Sequence, residues 1–201
     1  MAPPFHPDPF VLHLADLLGH GPAQRVLDCG VGTGRNAAYL AACGHRVTGV
    51  DQAATMLARV DRRPSMTGAA GRVEVVQARL ETLPFPAGAF DALLCTHVLE
   101  TMRNGAIAQA LEEMRRVLRP GGLLLVGTAA REGANPRGGR EVEPGTFVFD
   151  RQGRVTVHLA DREELARWTS GFATVARYLL MLEEPPSAPF CAQWAFFGRR
   201  R

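Results

Sequence analysis

A short stretch near the start of the chain combines carboxylates with bare backbone. Residues 26–36 read V-L-D-C-G-V-G-T-G-R-N, so Asp28 lies two residues before the first of three glycines at alternate positions. A second carboxylate, Asp51, follows later in the chain. Glycine lets a backbone turn tightly and approach a ligand closely, because it carries no Cβ. The stretch therefore predicts a loop that binds a small ligand between two carboxylates.

Two classes of ligand compete for this loop. Dinucleotides use G-x-G-x-x-G with an acidic residue about 20 positions on, and their pyrophosphate lies at the start of the following helix. Here Arg35 occupies the final glycine position, and Asp28 would lie unfavourably close to a pyrophosphate. S-adenosylmethionine carries an α-ammonium and a sulfonium but no phosphate, so it suits Asp28 better. Asp51, predicted at a strand end, can accept hydrogen bonds from both ribose hydroxyls.

Alternating strands and helices are expected to position these residues. Strands are predicted at 25–29, 45–50, 72–77, 90–96 and 123–127, and helices at 11–18, 35–43, 53–62 and 107–118. This alternation predicts a parallel sheet with right-handed crossovers. Ligands of such sheets bind beyond the C-terminal ends of the strands, and the glycine loop lies at such an end.

The last third of the chain has a different pattern. Residues 128–145 are rich in Gly, Pro and charge without periodicity, and a hairpin is predicted from 146–149 and 155–158. Asp161 is expected to cap a helix that ends at Trp168. Apolar runs at 173–182 and 190–197 flank a Pro-rich link, which favours an antiparallel pair at the end of the sheet. We expect one domain over 1–201.

Five motifs, in order, resemble those of the class I S-adenosylmethionine-dependent methyltransferases, and the resemblance covers nearly the whole chain. They are V-L-D-C-G-V-G-T-G at 26–34, G-V-D at 49–51, L-P-F at 83–85, F-D-A-L-L-C-T-H-V-L-E at 90–100 and R-R-V-L-R-P-G-G-L-L-L-V at 115–126. Gly34-Arg35-Asn36, followed by Tyr39-Leu40-Ala41, is similar to the branch that contains tellurite-resistance-type and related small-molecule methyltransferases, and the chain as a whole resembles the type 11/25-like members.

The resemblance implies an α/β fold: a Rossmann-like seven-stranded sheet, mostly parallel with an antiparallel last strand, and helices on both faces. It implies S-adenosyl-L-methionine as cofactor and S-adenosyl-L-homocysteine as product. The residues expected to bind the cofactor are Asp28, Gly30, Gly32, Gly34, Asn36, Asp51, Gln52, Met56, Leu80, Glu81, Cys95 and Thr96.

One position departs from the family pattern. In many relatives the residue four before L-P-F is an Asp that hydrogen-bonds the adenine amino group, whereas this chain has Arg79. Arginine cannot accept a hydrogen bond. Two alternatives stay open: backbone groups of Leu80, with Glu81 or solvent at the amino end, hold the adenine, or Arg79 simply faces solvent.

Methyl transfer from a sulfonium is an in-line displacement with a neutral leaving group, so the protein contributes mainly alignment. An O–H or N–H acceptor also needs a proton acceptor, whereas a thiolate, selenide or metalloid anion does not. His97 follows the predicted fourth strand and is the leading candidate for a general base. The alternative is a residue that only lines the cofactor pocket. Glu100 is the weaker candidate for a general base. Its alternatives are a position on a solvent-exposed helix face or a contact with the substrate.

Two irregular segments are expected on the acceptor side. Residues 1–20 are predicted to form an N-terminal helical lid, and residues 128–158 an irregular loop and hairpin insertion. The insertion carries Arg137, Arg140, Glu141 and Glu143. Long irregular segments at an active face are often binding loops, although a stretch so rich in Gly and Pro is also typical of a mobile loop.

Composition and charge indicate which kinds of partner and which cellular location to expect. A net charge of +3, without a basic face or a D/N-P-P-Y/F motif, disfavours nucleic acid, and the chain lacks the roughly 20-residue apolar stretch of a membrane helix. Without a signal sequence we expect a cytoplasmic protein. Four scattered cysteines match no metal spacing, so no metal is expected. Cys29 and Cys95 are either buried apolar residues or, less favoured, ligands of a metalloid substrate.

The leading hypothesis is a methyltransferase that acts on a small-molecule acceptor. A non-catalytic S-adenosylmethionine-binding protein is the alternative from another class, and a nucleotide-dependent oxidoreductase is the alternative within enzymes. Calorimetry with S-adenosylmethionine and NAD discriminates between the two enzymes, while turnover on an acceptor panel separates enzyme from silent binder. The sequence does not indicate the acceptor or the oligomeric state.

Overall fold

A computed structural model of the chain describes residues 6–61, 71–132, 134, 136, 138–149, 155–181 and 192–201. Strands and helices alternate as predicted. The helices are α1 (Pro9–Leu18), α2 (Arg35–Ala42), α3 (Ala54–Asp61), α4 (Asn104–Val117) and α5 (Arg162–Trp168). The strands are β1 (Arg25–Cys29), β2 (Arg46–Asp51), β3 (Val73–Gln77), β4 (Phe90–Thr96), β5 (Leu118–Ala129), β6 (Arg140–Glu143), β7 (Thr146–Phe149), β8 (Val155–His158), β9 (Phe172–Met181) and β10 (Ala192–Arg200). No helix within these ranges has the length and hydropathy that a membrane crossing requires.

Seven strands form one sheet in the order β3-β2-β1-β4-β5-β10-β9. The pairs from β3 to β5 are parallel, and β10 runs antiparallel to both of its neighbours. The predicted fold class is confirmed, including the antiparallel last strand. The Pro-rich link between β9 and β10 lies outside the described residues. The strand order reverses between β1 and β4, which is where ligands of such sheets bind.

Helices cover both faces of the sheet because alternate strand residues point to opposite sides. On one face, Leu27 and Leu93 pack with Ile107 and Met114 of α4. On the other face, Val26 and the strand residues beside it pack with helices α1, α2 and α3. Strands β1 and β4 are therefore apolar on both faces, as expected for a buried parallel sheet.

The end of α4 differs from its predicted end. The apolar stripe predicted a helix through Leu118, yet Leu118 is the first residue of β5 and pairs with Phe90. Pro120 explains the shift, because it disfavours helical backbone at Arg119 and has no N–H to donate.

A small second sheet in the order β6-β7-β8 follows the main strand β5. The predicted pairing of 146–149 with 155–158 is confirmed, although the turn at 150–153 lies outside the described residues. Strand β6 was not predicted, because its sequence R-E-V-E lacks an apolar face. It connects to the main fold through Glu143, which binds Arg103 at 2.9 Å and the amide of Asn104 at 3.0 Å, at the start of α4.

Helix α1 packs against the sheet with Phe10, Val11 and Leu14 buried. Asp8 caps it by accepting a hydrogen bond from the amide of Phe10 at 2.9 Å. The lid predicted for residues 1–20 stays a prediction, and residues 1–5 lie outside the described part of the chain.

Candidate functional site

The glycine loop (residues 30–34) follows β1 and needs glycine for two different reasons. Gly30, Gly32 and Gly34 all have positive φ, at 77°, 52° and 78°. A Cβ on Gly30 would also lie 2.2 Å from Cγ2 of Val98, so only hydrogen fits there. A Cβ on Gly32 would meet nothing closer than a backbone oxygen at 3.9 Å. Gly30 therefore permits close packing, whereas Gly32 leaves open space for a ligand.

Asp51 fixes the glycine loop from the end of β2. One carboxylate oxygen accepts a hydrogen bond from the Gly32 amide at 3.1 Å, and the other accepts one from the Ala53 amide at 2.9 Å. Each carboxylate oxygen has a second lone pair. Asp51 can therefore hold the loop and still accept hydrogen bonds from a pair of hydroxyls.

A cavity of about 710 Å³ opens beside the glycine loop. Its lining includes eight of the residues predicted for the site: Gly30, Gly32, Asp51, Gln52, Met56, Leu80, Glu81 and His97. Five further lining residues, which follow β4, were not predicted from the sequence: Val98, Thr101, Met102, Arg103 and Ala106. Their position directly after β4 was the available signal, since residues at that edge of a parallel sheet face the ligand.

Five other predicted residues lie behind the cavity lining. Gly34 is the N-cap residue of α2. Asn36 is buried, and its side chain accepts a hydrogen bond from the Asp8 amide at 3.0 Å and donates one to Thr96 Oγ1 at 3.3 Å. Cys95, Thr96 and Asp28 are also buried. Direct cofactor contacts for these residues stay predictions.

Asp28 is only 2% exposed, and its Oδ2 has no hydrogen-bond partner within the described residues. Burial raises the pKa of its carboxyl to about 7, although the Ala37 amide and the charge of Arg35 oppose this shift. An unsatisfied buried carboxylate is costly unless a cation or donor reaches it. Asp28 therefore suits a ligand that brings a positive group, as the α-ammonium of S-adenosylmethionine does.

Arg79 and Glu81 both line the cavity and form an ion pair at 2.7 Å. The Arg79 side chain is 66% exposed, whereas the Glu81 side chain is largely covered. The carboxylate in this part of the cavity therefore comes from Glu81, two residues after the position at which many relatives carry Asp.

His97 lies at the end of β4 between two buried carboxylates. Its Nε2 is 2.9 Å from Asp8 Oδ2, and its Nδ1 is 3.1 Å from Glu100 Oε1. We call Asp8, His97 and Glu100 the His97 cluster. Asp8 was not predicted from the sequence, because it is 89 residues from His97 and precedes the first helix. Glu100 is buried rather than solvated.

The His97 cluster stabilises a charged ring. Hydrogen bonds to Asp8 and Glu100 raise the pKa of His97 to about 9, against the opposing effect of burial. Burial disfavours ionisation of Asp8, but the hydrogen bonds from His97 and the Phe10 amide hold the pKa of Asp8 below its usual value. Both acidic neighbours therefore favour the protonated, charged form of the ring.

Cys29 and Cys95 are register partners on β1 and β4 and are fully buried. Burial raises the pKa of both thiols well above the usual value. Neither lines the cavity. Protonated thiols are poor metalloid ligands, so the contacts favour a packing role.

Comparison with known proteins bears on the family of the chain. The profile of a methyltransferase-domain family matches residues 27–126. An uncharacterized methyltransferase of Bacillus subtilis (strain 168), YodH, is 39% identical over 104 residues, covering 52% of this chain and 42% of that protein. The ubiquinone/menaquinone biosynthesis C-methyltransferase UbiE of Vibrio campbellii is 40% identical over 119 residues, covering 55% of this chain and 43% of that protein. The match thus spans less than half the length of these curated relatives.

Solved structures agree on the fold. The 1,6-didemethyltoxoflavin-N1-methyltransferase of Burkholderia thailandensis, with bound 1,6-didemethyltoxoflavin and S-adenosylhomocysteine, matches with a TM-score of 0.68 at 24% identity, over 96% of this chain and 79% of that chain. The sheet order, the glycine loop with its two carboxylates and the family match lead to one conclusion: the chain belongs to the class I S-adenosylmethionine-dependent methyltransferases.

Proposed function

We propose that this protein transfers the methyl group of S-adenosylmethionine to a small-molecule acceptor. One observation carries the proposal: Asp51, which can accept hydrogen bonds from hydroxyls, lines the cavity beside the glycine loop, and Asp28, at the end of β1 just before that loop, has a buried oxygen with no partner within the described residues. A cationic nucleoside without phosphate satisfies both groups, whereas the pyrophosphate of NAD would lie against Asp28.

Bound S-adenosylmethionine supplies a methyl group on a sulfonium, which leaves as a neutral thioether. Asp28 and the glycine loop hold and orient the amino-acid end, and Asp51 holds the ribose. Leu80 and Glu81 lie where the adenine is expected, with Arg79 paired to Glu81. Val98 and Met102 give the cavity an apolar side that excludes water. Alignment of this kind is the main contribution that methyl transfer requires.

A small molecule is the proposed acceptor. Two of the three similar proteins named above support this choice, since one is a ubiquinone/menaquinone biosynthesis C-methyltransferase and the other is an N1-methyltransferase with bound 1,6-didemethyltoxoflavin. We assign residues 1–20 and 128–158 to the acceptor side, because Asp8 contacts His97 and Glu143 contacts the start of α4. Arg137 lies outside the described residues. The cytoplasmic location stays a prediction.

The test is binding followed by turnover. Calorimetry should show that S-adenosylmethionine and S-adenosylhomocysteine bind and that NAD does not. Formation of S-adenosylhomocysteine is then measured over a panel of thiols, phenols, amines and metalloid oxyanions. Turnover with a member of this panel supports the enzyme. Binding without turnover on any member would favour the non-catalytic binding protein, and tighter binding of NAD would favour the oxidoreductase.

A further inference from the structure

We propose that Asp8 and Glu100 are positioning residues that hold the His97 ring as a fixed surface beside the cofactor cavity, and that the methyl acceptor is a nucleophile whose lone pair is free at neutral pH. This inference rests on the proposed function and names its acceptor class. Of the two roles that the sequence left open for His97, it favours a residue that lines the cofactor pocket over a general base.

Both ring nitrogens of His97 are already occupied. Asp8 lies on Nε2 and Glu100 on Nδ1, and the two carboxylate side chains are buried. A general base needs a nitrogen with a free lone pair directed at the acceptor's proton. In this arrangement each ring nitrogen carries a hydrogen that it donates to a carboxylate, so His97 has no lone pair to offer.

Asp8 cannot easily move aside, because the protein holds it from several directions. Its other oxygen accepts a hydrogen bond from the Phe10 amide at 2.9 Å, and its own amide donates to Asn36 at 3.0 Å. A guanidinium nitrogen of Arg35 is 3.9 Å from Oδ2. The carboxylate on His97 is thus a fixed part of the fold and not a mobile counterion.

His97 adopts an unfavourable backbone conformation. It is the sole non-glycine residue with positive φ among the described residues, at 60°. Such strain persists where the surrounding structure over-determines a residue, often at functional sites. The hydrogen bond from its amide to Gly127 O at 3.1 Å fixes the backbone. The result is a ring that is 44% exposed and lines the cavity.

The groups that face the His97 ring leave it charged. They are Asp8 before α1, Glu100 in the 3₁₀ helix Leu99–Thr101, Arg35 of α2 behind Asp8, and the neutral Gln193 of β10, 3.1 Å from Nε2. The Gln193 atom at this distance is the amide nitrogen, itself a donor, so a ring that carries a hydrogen on Nε2 requires the amide to be turned by about 180° to present its oxygen. Hydrogen bonds to Asp8 and Glu100 raise the pKa of His97 to about 9.

The chemical step balances without a base. The acceptor lone pair forms a bond to the methyl carbon, the carbon–sulfur bond breaks, and its electron pair returns to sulfur as a neutral thioether. An ionised phenol or thiolate gives a neutral product directly. A neutral ring nitrogen gives a cation that releases any proton to water afterwards.

The first experiment tests the cluster independently of activity. The titration of His97 is followed by NMR in the wild type, in Asp8→Asn and in Asp91→Asn, each bound to S-adenosylhomocysteine. Asp91 pairs with Arg25 and Arg119 at the opposite end of β4, so it is a matched carboxylate control. We expect His97 to titrate near pH 9 in the wild type and in Asp91→Asn, and at least one pH unit lower in Asp8→Asn. Titration of wild-type His97 at or below 6.5 would overturn the proposal.

The second experiment tests the acceptor class, with two phenols of different acidity as acceptors. Without a base in the protein, the pH at which kcat/KM levels off should follow each phenol's own pKa. His97→Gln should then lower kcat by less than about tenfold, while a general base contributes about a hundredfold or more. A shared midpoint for both phenols, or a hundredfold loss in His97→Gln, would overturn the acceptor class. If neither phenol nor any panel member reacts, the proposed function fails and the acceptor class with it, while the NMR titration still decides on the cluster.

Discussion

Two buried aspartates at the same edge of the sheet have opposite acid–base properties. Asp28 and Asp8 are 2% and 1% exposed, so burial alone does not distinguish them. Burial raises the pKa of Asp28 to about 7, whereas hydrogen bonds from His97 and Phe10 overcome burial and lower the pKa of Asp8. The difference is the partner. Asp8 has an internal cation, and Asp28 has an oxygen that only a group from outside the described residues can satisfy.

The comparison predicts its largest effect for Asp28→Asn. Affinity for S-adenosylmethionine should fall at least about a hundredfold, because the buried partner of the ammonium is lost, a loss of roughly 3 kcal/mol. In the wild type, affinity should also decrease as pH falls below about 7, since Asp28 must be ionised to pair with the ammonium. Calorimetry at several pH values measures both effects.

A matched ligand tests the assignment of the ammonium to Asp28. Methylthioadenosine keeps the adenosine and has no amino-acid part, so Asp28→Asn should change its affinity little. An equal loss for both ligands would show that the substitution disturbs the whole cavity and that the comparison does not explain the site.

The glycine loop beside Asp28 gives a second test, because Gly30 permits close packing whereas Gly32 leaves space for the ligand. Gly30→Ala should lower the free energy of unfolding by about 2–4 kcal/mol, because the new Cβ would meet Val98 at 2.2 Å and the residue also has a positive φ. Gly32→Ala should cost roughly 1 kcal/mol for its positive φ yet weaken cofactor binding, because its Cβ enters the cavity. Chemical denaturation and calorimetry compare the two variants. Similar stability losses in both would contradict the separate roles.

Stability against pH gives a third test, with opposite signs for the two aspartates. The folded pKa of Asp28 is raised, so it destabilises the ligand-free protein increasingly as pH rises from about 4 to about 7. Asp28→Asn should therefore raise Tm, by a difference that reaches its full size above pH 7.

Asp8 should show the reverse. Its pKa is lowered and that of His97 is raised, so their contact stabilises the fold above the usual Asp pKa of 3.8 and below the usual His pKa of 6.5. That stability is lost as pH falls through the Asp8 pKa or rises through about 9. Asp8→Asn keeps a side chain that can cap α1, and should lower Tm between about pH 4 and pH 9. Equal Tm values for the two variants at pH 7 would contradict the comparison.

The sequence predicted Asp28 and missed Asp8 for a physical reason. Asp28 belongs to a local motif, in which an apolar strand, alternate glycines and a following helix occupy one short stretch. Asp8 acquires its role only when the chain before α1 is brought against the end of β4, a contact that spans 89 residues. The alternation of strands and helices along the chain was similarly predictable from local periodicity, whereas strand β6 depends on pairing with β7 and has no apolar pattern of its own.

The role of His97 shows the same limit. Its place after β4 could be predicted from sequence, and it does line the cavity. Its charge could not be predicted from sequence, because the pKa of a histidine depends on which groups the fold brings to each ring nitrogen. Residue type alone suggested a base, whereas the contacts favour a fixed cation.

The smallest expected effect concerns a charged residue that, unlike both aspartates, is mostly in solvent. Arg79 is 66% exposed and paired with Glu81, so screening limits what its charge contributes. Arg79→Asp should change S-adenosylmethionine affinity by less than tenfold, while Glu81→Gln, which removes the covered carboxylate in the same pair, should weaken it more. Calorimetry on both variants measures the difference. A loss of more than tenfold in Arg79→Asp would show that the exposed guanidinium contacts the cofactor directly, and that burial is not what distinguishes the binding groups of this cavity.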